Sequence, residues 1–167
     1  MVTPQYVKEM AKYNRWQNDA TYKLCQKIGE EERKKNRGMF FGSIHATLNH
    51  IIAIDTSLYE LIKTGKPKYI SFEAIPYVNF EDLRYARAEF DNRLVLEAEG
   101  YSQDWLNLEL DFENKKLGKL RKMQRSFFFM HMFNHQTHHR SQVTSEFHKT
   151  GLNYGSTDIT FNPELFL

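Results

Sequence analysis

The residues most able to do chemistry are histidines. There are seven, and five of them fall between His131 and His148. Four of these five sit in Phe127-Phe128-Phe129-Met130-His131-Met132-Phe133-Asn134-His135-Gln136-Thr137-His138-His139-Arg140. At about 100° per residue, one stripe of a helix runs through Phe128, Met132, His135, His139, Val143 and Phe147. Two core-facing histidines one turn apart can chelate a single cation. His131 and His138 fall on the flank of that stripe and read as solvent-facing or structural. A lone core-facing histidine is ordinarily a hydrogen-bonded packing residue. Two on one stripe are harder to satisfy that way, since an unpartnered buried polar group costs roughly 1–3 kcal/mol, so metal binding leads narrowly over packing. A second helix must supply the remaining ligands. It offers His45 and His50, on opposite flanks of its own apolar stripe, and periodicity does not choose between them. Asp55 lies mid-stripe there, so it should be buried with a hydrogen-bond partner or belong to the metal's surroundings.

Several enzyme classes are excluded. His135-Gln136-Thr137-His138-His139 lacks the Glu that follows the first His in zinc-protease helices, and no histidine has a Glu three residues before it, as di-iron carboxylate bundles require. No glycine-rich dinucleotide motif, phosphate-binding loop or nucleophile elbow is present. Ligands that are mostly imidazole suit Zn, Ni, Cu or Fe better than Mg or Ca.

The elements that position these residues follow from the remaining pattern. A chain of 167 residues with 41% apolar and 14% aromatic content is too hydrophobic to be disordered and reads as one domain, residues 1–167, burying roughly 70% of its unfolded surface. Purely apolar runs reach only four residues, as at 127–130, which excludes a membrane-spanning helix. The first thirty residues interleave lysines with apolar positions, as an amphipathic helix does and a secretory leader does not, so a cytoplasmic protein is expected. Cys25 is the single cysteine, which excludes disulfides and multi-thiolate metal sites. A net charge of +2 gives little ground for a nucleic-acid partner, and the basic run Lys115, Lys116, Lys119, Arg121, Lys122, Arg125 reads as a solvated edge.

Four long helical segments are predicted. The first starts at Thr3-Pro4, carries Val7, Met10, Asn14, Gln17, Thr21, Leu24 and Ile28, and ends at Gly29. Residues 30–38 then form a charged, solvated connector. The second opens near Ser43 with Ile44, Leu48, Ile51, Asp55, Leu58 and Ile62 on one stripe and stops at Gly65. A long loop covers 66–78. Asn79 caps the third, which aligns Phe80, Leu83, Phe90, Leu94 and Tyr101, with Gly100 at its end. The fourth runs over 123–151. Between the last two, Leu106, Leu108, Leu110 and Phe112 alternate with polar residues, predicting a strand, a turn at 113–116 and a returning strand at 117–122. Residues 152–167 should wrap the surface as a tail. The whole reads as all-α, a four-helix bundle with a small β-hairpin between its third and fourth helices.

Asn134-His135-Gln136-Thr137-His138-His139-Arg140-Ser141-Gln142 resembles the NHxxHHRGQ segment of the DinB family of metal-binding four-helix bundles. Thr47-Leu48-Asn49-His50-Ile51 with Asp55 is similar to that family's second-helix signature, Tyr13-Asn14-Arg15-Trp16-Gln17-Asn18 to its first, and Gly151 through Asp158 to its C-terminal turn. Ser141 stands where the family usually has Gly. The resemblance covers nearly the whole chain and is loosest over 66–120. It implies that His50, rather than His45, joins His135 and His139 as metal ligands. It also implies an antiparallel up-down-down-up bundle, pairing as a homodimer, and a divalent transition metal. Zinc or nickel comes first, then iron, manganese or copper. Three protein ligands leave a position for water or substrate. By the same resemblance, the metal would activate a low-molecular-weight thiol for transfer to a small electrophile under stress, with Arg140, Asn134 and Asp55 as surrounding or substrate-orienting residues. The rival expectations are a metal-binding stress protein without turnover and a metal-dependent hydrolase.

Overall fold

The computed structural model describes residues 2–68, 71, 74–114 and 118–166. Helix α1 spans Pro4–Lys34, α2 Ile44–Thr64, α3 Phe80–Ala98 and α5 Arg125–Lys149, with a short α4, Gln103–Asn107, between α3 and the hairpin. The starts are set by side-chain caps. Thr3, Ser43, Asn79 and Ser102 each accept from a backbone N–H of the first turn of the helix they precede, satisfying donors that would otherwise be orphaned. Gly65 ends α2 at φ 75°, its N–H returning to Leu61 O, a backbone turn that favours glycine.

Several predicted boundaries are corrected. Gly29 does not end α1: it takes φ 81° and ψ 172°, kinks the helix, and residues 30–34 continue it. The connector therefore moves to 35–43. Nor is its neighbourhood wholly solvated, because Arg33 is buried, donates to Cys25 O at 2.6 Å and lies 4.0 Å over the Phe80 ring. The strand predicted from Leu106 begins only at Glu109, since Ser102 caps the extra helix α4 and Leu106 is its buried residue. Strand β1, Glu109–Asn114, pairs antiparallel with β2, Lys119–Gln124, in the register Glu109↔Gln124 to Asn114↔Lys119. Met123 thus belongs to β2 and α5 starts at Arg125. Glu113 and Asn114, predicted in the turn, belong to β1, while the turn residues Lys115 and Lys116, the predicted strand start Leu117 and part of the 66–78 loop lie outside the described residues.

All four long helices contribute to one hydrophobic core, including Val7, Ile51, Leu83, Phe129 and Val143. The most extensive helix–helix pairings are α1 with α3 and α2 with α5. The second pairing matters most here, because it faces the histidines of α5 toward those of α2. Residues 152–166 lie along α1: Tyr13 and Gln17 donate to Thr157 O and Ser156 O, and Arg15 pairs with Glu164. No described helix is long and apolar enough to cross a membrane.

A buried polar network joins the helices. Arg87 donates to Asp55 at 2.5 Å and to both oxygens of Asp91, at 2.6 and 3.0 Å. Asn18 donates to Asp91 and to Gln136 Oε1, and Arg140 Nη1 donates to Asn14, Asn18 and Gln136. Every member is buried, and α1, α2, α3 and α5 all contribute.

Candidate metal centre

His50 on α2 and His135 and His139 on α5 converge. One ring nitrogen from each lies within 4.8 Å of the others, and among the described residues this is the group of three that could hold a metal ion. Nε2 of His50 is 3.1 Å from Nε2 of His135. Two nitrogens bound at about 2.0–2.1 Å to one tetrahedral ion stand roughly 3.3 Å apart, so this pair already has the required spacing. His50 is 2% exposed and His139 8%, while His135 is half-buried. The stripe read from the sequence is therefore the face that meets α2.

The donor set fits a borderline transition metal. Burial lowers the His139 imidazole below its ordinary value. Burial, reinforced by the neighbouring His139 and His50 rings, pushes His135 down to about 3. Both rings are consequently neutral at pH 7 and offer lone pairs rather than protons, as ligation requires. His139 is also oriented: its Nδ1–H donates to Gln142 Oε1 at 2.9 Å, which leaves Nε2 as the free donor atom. The Gln142 amide nitrogen faces His138 Nε2 at 3.5 Å, consistent with the oxygen being turned to His139.

Phe41 completes one wall. Its ring stacks on His50, with centroids 4.0 Å apart and planes 25° apart, and lies 5.5 Å from His139.

The other sequence candidates are distributed differently. His45 is buried elsewhere, bonded to Tyr77 O at 2.9 Å, and of the two histidines of α2 it is His50 that stands in the cluster. His131 and His138 are exposed on the flank, ring-to-ring neighbours of His135 and His139 at 5.9 and 4.8 Å. Asp55 is fully buried, and its hydrogen bonds go to Arg87 rather than to the histidines. Arg140 is held in the polar layer by Asn14, Asn18 and Gln136, and Asn134 is exposed. Cys25 is fully buried, and burial pushes its thiol up to about 12, which makes it inert as a nucleophile.

Sequence reasoning gave no role to Gln142 or Phe41. Gln142 had a signal, since a side chain three residues beyond His139 on a helix lies beside it. Phe41 had none, because it reaches the site through the path of a loop.

Fold and site together describe a mostly helical protein with a three-histidine cluster between two helices. The DinB family model matches residues 1–165, nearly the whole chain, and the chain belongs to the DinB family. A search of curated proteins finds no match.

Proposed function

We propose that this DinB protein binds one divalent transition metal, zinc or nickel foremost, through His50, His135 and His139, and uses it to transfer a low-molecular-weight thiol to small electrophiles. The observation that carries the reading is the convergence of three imidazoles at one point between α2 and α5, a group that among the described residues has three members and no fourth. Three protein ligands are the pattern of a catalytic rather than a structural ion. The ion supplies Lewis acidity that favours the thiolate form of a coordinated thiol at neutral pH. The protein's part is positional. Gln142 fixes the tautomer of His139, Phe41 excludes water from one side of His50, and the buried layer around Arg87 and Arg140 holds α5 in place. The proposal extends to an up-down-down-up bundle acting as a cytoplasmic homodimer.

Native mass spectrometry of the purified protein reads metal, retained thiol and subunit number together. Cobalt-substituted protein should then develop a thiolate-to-metal charge-transfer band with at least one member of a low-molecular-weight thiol panel. Its apparent affinity should rise with pH below the free thiol's pKa of ~8.5. No spectral response to any thiol at any pH where cobalt stays bound would exclude the transferase. Turnover of esters or amides with water would then favour the hydrolase, and its absence a metal-binding protein without turnover.

A further inference from the structure

The buried network leaves part of Arg140 unsatisfied. Its Nη1 donates to the amide oxygens of Asn14, Asn18 and Gln136, at 2.6, 3.2 and 2.9 Å, and all three are neutral groups. The two carboxylates of the network, Asp55 and Asp91, are both ion-paired with Arg87 instead. Formal charge balances, two guanidiniums against two carboxylates, but hydrogen bonding does not. Nη2 of Arg140 is buried without an acceptor, on a residue only 5% exposed. A charged donor in that state is costly, so an acceptor is expected beside it.

There is room for one. Arg140 lines a cleft of about 330 Å³ bounded by α5, by Tyr13 and Gln17 of α1, and by the C-terminal segment around Tyr154. Its guanidinium carbon lies 5.6 Å from the centre of the Tyr13 ring, which puts the charged end of the side chain at the α1 wall. Tyr13 OH donates to Thr157 O and the Gln17 amide to Ser156 O, fastening the C-terminal segment over α1 and fixing that wall. Arg140 is the one ionic side chain in the lining, and no carboxylate among the described residues shares it. On the α5 side Thr137, Ser141 and Thr144 already donate to carbonyls of their own helix. The donors left to the cleft include Arg140 and the hydroxyls of Ser145 and Tyr154. A cleft of this size stands at the lower end of those that hold small molecules. One buried cation ringed by neutral donors selects a negatively charged oxygen ligand.

We infer that this cleft binds a small oxyanion, a carboxylate or phosphate group, that accepts from the Arg140 guanidinium and from the Ser145 and Tyr154 hydroxyls. The site is separate from the three histidines, because it lies between α5 and α1 whereas His135 and His139 meet His50 of α2. It stands whether or not the protein binds a metal.

Titration calorimetry of the full-length protein at low ionic strength, with sodium phosphate and with sodium acetate against a sodium chloride control, tests it. At least one of the two anions should give saturable heat at one site per chain, and chloride should not. Phosphate alone would mark a phosphorylated ligand, acetate alone a carboxylic one, and both a site that reads the shared oxyanion chemistry. Arg140→Gln should weaken binding by about tenfold or more, since it removes the charged donor. Ser145→Leu, which sets a branched apolar side chain at the edge of the cleft, should weaken it by a similar factor. Ser145 is exposed on α5, so this variant should keep the wild-type thermal midpoint without added anion, and it decides the matter even if Arg140→Gln fails to fold. The inference is overturned if neither anion gives saturable heat, or if chloride matches them. Binding as tight in Ser145→Leu as in wild type would overturn it too, since the anion would then sit at the histidines or elsewhere.

Discussion

Nε2 of His50 and Nε2 of His135 lie 3.1 Å apart although the two residues are 85 positions apart in the chain. Two imidazole nitrogens at that distance share one proton, or else both present lone pairs to one cation. The second arrangement recruits His139 as well, whose free Nε2 belongs to the same cluster.

Removing any member should therefore abolish the site. His50→Ala, His135→Ala and His139→Ala should each lower metal affinity by at least ~10²-fold, more than the loss of an outer hydrogen bond costs. His45→Ala, His131→Ala and His138→Ala should keep stoichiometric metal. Elemental analysis of the six variants, with chelator competition for affinity, decides it. Equal losses in His45→Ala and His50→Ala would mean a site built differently.

Gln142 should matter without being a ligand. Gln142→Ala frees His139 to rotate and to exchange tautomers, and should weaken metal affinity by ~10–100-fold. Gln142→Glu, which keeps an acceptor oxygen facing Nδ1–H, should recover most of the loss. A competition titration in which alanine and glutamate behave alike would remove Gln142 from the site.

The depressed His135 ring makes the metal-free protein sensitive to acid. Its folded pKa of about 3 lies below the ~6.5 of an unfolded histidine, so the unfolded chain binds more protons throughout that window. Stability from this residue is complete above pH ~6.5 and is lost as pH falls toward 3, at up to ~1.4 kcal/mol per pH unit for one proton. Urea denaturation of the metal-free protein at stepped pH should show a steeper decline for wild type than for His135→Gln, which does not titrate. Parallel curves would contradict the burial of that ring.

The ion pair of Asp55 and Arg87 should be a stability feature. Asp55→Ala leaves the Arg87 guanidinium short of one carboxylate in a fully buried layer, at a cost of ~3–5 kcal/mol. Metal affinity of the folded variant should stay within a few-fold of wild type, because the hydrogen bonds of Asp55 go to Arg87 and not to the histidines. A variant of normal stability with lost metal would reverse that assignment and return Asp55 to the metal's surroundings.

What could be read from the residues in order, and what could not, divides along physical lines. The stripe through His135 and His139 was legible because helical periodicity is a local property, and the caps Thr3, Ser43 and Asn79 announced three helix starts for the same reason. Helix α4 was missed because five residues are too few to display a 3.6-residue period, while the alternation that follows it mimics a strand from Leu106 onward; Ser102 was the overlooked signal. The continuation of α1 past Gly29 escaped because glycine ordinarily punctuates, whereas here it bends the chain and lets Arg33 reach Phe80. Choosing His50 over His45 needed the packing of α2 on α5, or a family resemblance standing in for it. Placing Phe41 needed the path of a nine-residue connection.

The polar layer has a consequence for how α5 is set. His135 and His139 face α2, while Gln136 and Arg140, each one position further along, engage Asn14 and Asn18 of α1. Two pairs with identical spacing, about 100° apart in azimuth, act as a vernier on the helix. Turning α5 by one residue, or sliding it by one turn, would break both engagements at once. The rotational phase of α5 is thus locked independently from two sides. A metal ion arriving between α2 and α5 would find its ligands already aimed, with the ordering entropy met when the chain folded rather than when the ion binds.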